Sequence, residues 1–156
     1  HSSFEGKPEA VVFAQDRSAM KNLLVVCDWV YPVFHSFTAE DRMGDLSLES
    51  QLLEATTGYS VNEVDLNLIG ARVWNLARAI MVQEGRTREQ DTLHESYFRD
   101  DKSGEAVSKA DFEEAKSRYY RLREWDEQSG WPTKANLTKI GLSDVAERLE
   151  KERLLP

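Results

Sequence analysis

Reactive side chains are few in this 156-residue sequence, which holds one cysteine and three histidines. Cys27 closes the apolar run Leu23, Leu24, Val25, Val26 and precedes Asp28 and Trp29. As a thiolate it would serve as a nucleophile or a metal ligand, a state favoured by positive charge, and Arg17 and Lys21 are its nearest basic neighbours in sequence. As a thiol it would be a small buried core residue, which free cysteine often is. His1, His35 and His94 are far apart, and none stands beside another ligand type at a spacing typical of a metal motif. Asp91, Glu95, Asp100 and Asp101 are the carboxylates that acid–base chemistry would draw on; the competing reading is a solvated charged loop. The sequence has no glycine-rich phosphate loop, no Gly-x-Ser-x-Gly elbow and no His-Glu-x-x-His, so the common catalytic signatures are missing.

The elements that would position these groups read as helices joined by short connections. No glycine or proline stands between Pro8 and Pro32, and Pro8 suits a first helical position, which predicts a helix from about Pro8 to about Val30. Its Leu23 to Cys27 stretch reads as buried helix, with a buried strand as the alternative. Ser47 to Thr57 forms a second helix that Gly58 ends. Ser60-Val61-Asn62-Glu63 has the form of a capping box. Leu66, Ile69, Val73, Leu76, Ala77 and Ile80 then line one face of a third helix, closed by Gly85. Arg86 to Gly104 is irregular, with a turn at Asp91-Thr92-Leu93 and a solvated loop over Asp100 to Gly104. Ser108 caps a fourth helix to about Trp125, with Phe112, Ala115, Tyr119 and Leu122 on one face. After a break at Ser129 to Pro132 come two short helices, Thr133 to Ile140, stopped by Gly141, and Ser143 to Arg153. Trp74, Tyr119, Tyr120, Trp125 and Trp131 read as core aromatics. The expectation is an all-α, multihelical fragment over 1–156, divisible into packed subdomains at about 1–58 and 59–156.

Twenty basic against 28 acidic residues leave a net charge of −8, which argues against nucleic acid or an anionic membrane surface as a partner. The longest apolar run is far too short to span a bilayer, and no signal peptide is visible at the start. A single cysteine forms no internal disulfide, which suits a cytoplasmic location. The chain opens on His1 without an initiator methionine, suggesting a processed product or a piece of something longer.

Several ordered stretches carry a more specific signal. Ile69-Gly70-Ala71-Arg72-Val73-Trp74-Asn75-Leu76-Ala77-Arg78, then Gln83-Glu84-Gly85 and Asp91-Thr92-Leu93, resemble the C-terminal helical region of the tungsten-containing aldehyde ferredoxin oxidoreductases. Tyr119-Tyr120-Arg121-Leu122-Arg123-Glu124-Trp125-Asp126 with Gly130-Trp131-Pro132-Thr133 is similar to the family's tyrosine-rich helix and Trp-Asp turn, and Leu137 to Leu142 also fits. The likeness runs from about residue 10 to 142.

The resemblance implies a C-terminal helical part of a longer enzyme whose N-terminal domain carries a tungsten or molybdenum bis-pterin. It implies oxidation of a small aldehyde to a carboxylate, with electrons leaving through a [4Fe–4S] cluster to ferredoxin. Cys27 would be the fourth cluster ligand, the other three coming from an upstream Cys-x-x-Cys-x-x-x-Cys run. Pterin contact would fall to Asn22 and Asp28. In the family an Asp-x-x-Gly-x-Cys segment touches the pterin; here Asn22 stands for the Asp and Val25 for the Gly, which weakens the acceptor and crowds the backbone. By itself the chain is expected to be inactive and free of cofactor. It would expose an apolar interface near Cys27 or cover it by forming a homo-oligomer. Two other readings stand beside this one: a free-standing acidic helical interaction module without enzymatic activity, and an acid–base enzyme built on the 86–104 loop, which requires a carboxylate of raised pKa.

Overall fold

Helix ends dominate the local structure, because the chain stops its helices by one recurring device. The computed structural model describes residues 4–27, 36–42, 44–45, 47–99 and 106–156. Among them are six α-helices: α1 (Lys7–Leu23), α2 (Leu48–Thr57), α3 (Glu63–Gln83), α4 (Lys109–Leu122), α5 (Lys134–Lys139) and α6 (Ser143–Lys151). Two 3-10 turns, Arg88–Gln90 and Glu95–Phe98, lie between α3 and α4, and the described residues contain no strand. None of the described helices is long and apolar enough to cross a membrane. The expected all-α, multihelical architecture is what forms.

Gly85 and Gly141 end α3 and α5 with positive φ, each inside a paired turn in which two N–H groups reach back to the last carbonyls of the helix. Gly58, also left-handed, ends α2 with a single such bond to Glu54. The same paired turn ends α1, α4 and α6 on non-glycine residues: Val25, Glu124 and Arg153, with φ of 58°, 53° and 60°. The helix expected from Pro8 to Val30 therefore stops early. Val26 N–H donates to Lys21 O at 2.9 Å and Val25 N–H to Asn22 O at 3.1 Å, closing α1 at Leu23. The Leu23 to Cys27 stretch is neither buried helix nor strand, and Val30 lies outside the described residues.

At the other ends, Ser108 and Thr133 accept from the N–H groups of Asp111 (3.3 Å) and Asn136 (3.2 Å), as capping residues do. The box expected at Ser60 sits two residues later. Asn62 N–H donates to Asp65 Oδ2 and Asp65 N–H donates to Asn62 Oδ1, both at 3.0 Å. The sequence holds two overlapping boxes, and the shorter Asn and Asp side chains close the one that α3 uses.

The described chain divides into two compact units, residues 1–12 with 75–156, and residues 13–74. In the first, α5 and α6 build an apolar core from Leu137, Ile140, Leu142, Ala146 and Leu149, joined by Ala79 of α3. Tyr120 and Trp125 are buried, and Tyr119 packs edge-on to Trp125 at 5.7 Å, as expected of core aromatics. Leu76, Ile80 and Leu122, expected on inward faces, are exposed. The buried face of α3 lies one residue earlier, on Asn75, Arg78, Ala79 and Val82, and Asn75 Oδ1 there accepts from Trp125 Nε1 (2.8 Å) and Asn136 Nδ2 (3.0 Å).

In the second unit, α1 and α3 approach backbone to backbone at Gly70. A Cβ there would lie 2.7 Å from Asp16 Cα. One turn on, Trp74 Nε1 donates to Gln15 O at 2.7 Å. Among the described residues of this unit, Asp16, Arg17, Lys21 and Glu49 are buried beside Ala19, Met20 and Leu66. Arg17 and Glu49 form an ion pair that ties α2 to α1.

Val25 is the one β-branched residue among these left-handed caps, a conformation costing roughly 1–2 kcal/mol for an L residue. Val25→Gly is expected to stabilise the chain by about 0.5–1 kcal/mol after the extra unfolded-state entropy of glycine is subtracted. A rise in the urea midpoint at unchanged slope checks this; no rise would mean the cap is unstrained.

Candidate functional site

Cys27 follows directly on the cap of α1 and is exposed, so the small-core-residue reading fails. The two reversing bonds at Val25 and Val26 take the chain off the helix axis and leave the thiol outside. Asn22, in the last turn of α1, is exposed as well, and its carbonyl is one of the cap acceptors. Asp28 lies outside the described residues, as do His1, His35, Asp100 and Asp101. No group of three or more His, Cys, Asp or Glu able to hold a metal occurs among the described residues.

A [4Fe–4S] cluster requires thiolates gathered in one place, usually four. The sequence offers one, and it is presented outward. The donor set therefore fits a single ligand to a cluster completed by another part of a polypeptide, and does not fit a cluster held by this chain alone. Val25 holds a left-handed backbone at φ 58°, a conformation that glycine takes without strain.

The 86–104 loop does something other than expected. Asp91 is tied into the fold: its Oδ1 accepts from Arg78 Nη1 (3.1 Å) and Arg86 Nε (2.9 Å), and its Oδ2 accepts from the Tyr120 hydroxyl. Arg78 Nη2 lies 2.6 Å from Asp91 Oδ2 as an ion pair outside hydrogen-bond geometry. Arg78 Nε donates to Gly130 O at 2.8 Å, and the guanidinium lies over Trp125 at 5.0 Å. Lys116 Nζ donates to Asp91 O at 3.1 Å, and Arg88 reaches Glu113 Oε2 (2.8 Å) and Ser117 Oγ (3.0 Å) on α4. Gly130, at φ 71°, is required here because a Cβ would come 2.6 Å from Arg78 Nη2 and 2.9 Å from the Tyr120 ring. This is a structural hub that fastens the loop to α3, α4 and the Trp-Asp turn. Glu95 only pairs with Arg99 on the surface at 2.5 Å, and His94 accepts from Ser96 N–H at a turn start.

Burial works against ionisation of Asp91, but the hydrogen bonds from Arg78 and Tyr120, the Arg78 charge and the Arg86 bond outweigh it and hold the carboxyl below its usual range. Burial, together with the Asp91 bond and charge, pushes the Tyr120 phenol up. Glu113 and Asp126 are likewise held low. Asp91, the loop carboxylate that acid–base chemistry would draw on, is thus shifted away from the raised pKa such an enzyme needs. A depressed carboxylate stabilises the fold above its unfolded pKa of roughly 3.9, and a raised phenol does so below roughly 10. Stability is therefore expected to hold level between those limits, falling in acid through Asp91 and in base through Tyr120. Denaturant midpoints across pH check it, with Asp91→Asn expected to flatten the acid limb.

Asp91 stands out in the sequence, but its partners do not. The signal was in the chain, since Arg78, Arg86, Tyr120 and Gly130 all fall within the quoted family stretches or beside them, yet a helix face with a central Arg reads as solvent-facing when only apolar spacing is scored.

Among solved structures, the chain is similar to "Active site complex BamBC of Benzoyl Coenzyme A reductase in complex with 1,5 Dienoyl-CoA", with TM-score 0.61 and 22% identity over 70% of this chain. At that identity the likeness is one of fold, and the chain spans only 16% of that protein's length. The sequence model described as "Aldehyde ferredoxin oxidoreductase, domains 2 & 3" matches residues 1–142. The chain belongs to the aldehyde ferredoxin oxidoreductase family, in the region formed by that family's domains 2 and 3.

Proposed function

We propose that this chain is the C-terminal helical part of a tungsten or molybdenum bis-pterin enzyme that oxidises aldehydes to carboxylates, and that Cys27 supplies one thiolate to a [4Fe–4S] cluster. The observation that carries the reading is Cys27 itself, the only cysteine, exposed beyond a helix cap in a segment that resembles the family's Asp-x-x-Gly-x-Cys motif. A bound metal centre would supply the two-electron chemistry by which aldehyde and water become carboxylate and protons, with ferredoxin accepting the electrons singly. The chain's own residues act by position. The α1 cap holds Cys27 outward; Asn22, with a carbonyl in place of a carboxylate, offers a weaker acceptor to a pterin N–H, and Asp28 is the other contact proposed.

The free-standing interaction module is the weaker alternative, because the family match covers domains of a larger enzyme and the other domains of that enzyme are partners in themselves. The test is turnover of the metal-loaded parent polypeptide, with an aldehyde series as donors and oxidised ferredoxin as acceptor. Aldehyde-dependent reduction at two ferredoxins per carboxylate supports the reading. Fully loaded enzyme that reduces no ferredoxin with any aldehyde overturns it.

A further inference from the structure

α2 is fastened to α1 by a charge, although leucines are at hand. Leu48 and Leu52 of α2 are 42% and 40% exposed, whereas Glu49 between them is 2% exposed. Its Oε2 accepts from Nη2 of Arg17 on α1, which is itself fully buried. Its Oε1 has no hydrogen-bond partner among the described residues. For stability alone this is a poor arrangement, since both ions lose their water and a well-packed apolar pair often serves as well or better. What the ion pair adds is register. Apolar contact is non-directional, so a leucine can settle at several places along a helix, whereas a buried carboxylate belongs opposite the one guanidinium. A slip of α2 by one turn along α1 would carry Glu49 about 5 Å from Arg17.

We infer that the Arg17–Glu49 pair is a positioning device for Cys27, fixing the end of α1 from which the thiol is presented. The inference rests on the cluster reading proposed above. Arg17 lies in the last two turns of α1, and Lys21, one turn on along the same face, is buried too. Lys21 O and Asn22 O are the acceptors of the cap that turns the chain toward Cys27. Helix ends fray unless tied, and a binding group must be held to about 0.5 Å. Cys27 also falls between the two partners in sequence, so the pair closes a loop that contains it and narrows the positions open to it. An α1 end free to fray, or an α2 free to slide, leaves the fold standing and the ligand loose.

The parent enzyme carrying both Arg17→Met and Glu49→Met tests this, because the replacement keeps bulk and removes direction. Its far-ultraviolet helix signal and urea midpoint are expected at wild-type values, while cluster iron passes to the ferrous chelator bathophenanthroline at least tenfold faster. Reversing the pair, Arg17→Glu with Glu49→Arg, is expected to slow the release again, and no slowing overturns the inference. Wild-type iron release by the first doubly substituted enzyme overturns it as well. So does loss of that enzyme's helix signal, which would make the pair a matter of stability. Cys27→Ala, carried in parallel, separates the two claims. Labile iron in Cys27→Ala beside a wild-type rate in the doubly substituted enzyme sinks the positioning role and leaves the cluster reading; wild-type iron in Cys27→Ala sinks both.

Discussion

Asp91→Ala is expected to destabilise the chain by about 3–5 kcal/mol, the range for removing one partner from a buried ion pair. Arg78 is buried and keeps only the Gly130 carbonyl and the faces of Tyr120 and Trp125 as other neighbours in the hub. Without the carboxylate, its charge is left desolvated and uncompensated, and the Tyr120 hydroxyl loses its acceptor. Arg86, less buried, loses the same partner but can turn to water. Asp91→Asn keeps the shape and one acceptor, so its cost should be smaller. Equilibrium urea unfolding reads both; a loss under 1 kcal/mol for the alanine variant would mean the network is redundant.

Gly70→Ala is the second large effect, about 3 kcal/mol at the upper end of overpacking costs. A Cβ at Gly70 would meet the Asp16 backbone oxygen and come within 2.7 Å of its Cα and 2.8 Å of its carbonyl carbon. These are main-chain atoms of α1, so no rotamer change relieves the overlap and the two helices must separate. Separation also pulls Trp74 Nε1 from Gln15 O. Alanine is the better helix former by close to 1 kcal/mol, so a stabilised variant would show that the close approach does not exist.

The sequence carried the helices well where local chemistry decides them. Gly58, Gly85 and Gly141 stop α2, α3 and α5, and Ser108 starts α4, because left-handed caps and side-chain acceptors are short-range demands. It misled where the local choice is nearly degenerate or the partner is distant. Asn62 displaced Ser60 as the cap through a difference of two residues. Val25 ended a helix that apolar continuity would have prolonged, since nothing in a run of Leu and Val announces a left-handed residue. Asp91 looked like a loop charge because its three side-chain partners come from two helices and a turn. Spacing alone favoured a small core residue at Cys27, which its exposure contradicts, and only the resemblance made it a ligand.

Cys27→Ala in the parent enzyme decides whether Cys27 is a cluster ligand. An exposed cysteine with a structural role only would lose little, within about 0.5 kcal/mol for a surface change. A lost ligand instead opens one iron site, making the cluster labile and shifting its potential. The measurement is the electron paramagnetic resonance spectrum of the reduced variant, with iron content and the far-ultraviolet helix signal taken on the same sample. If Cys27 is a ligand, the helix signal stays intact and the [4Fe–4S] resonance is lost or converted to a three-iron form. A wild-type resonance at full iron content would contradict it.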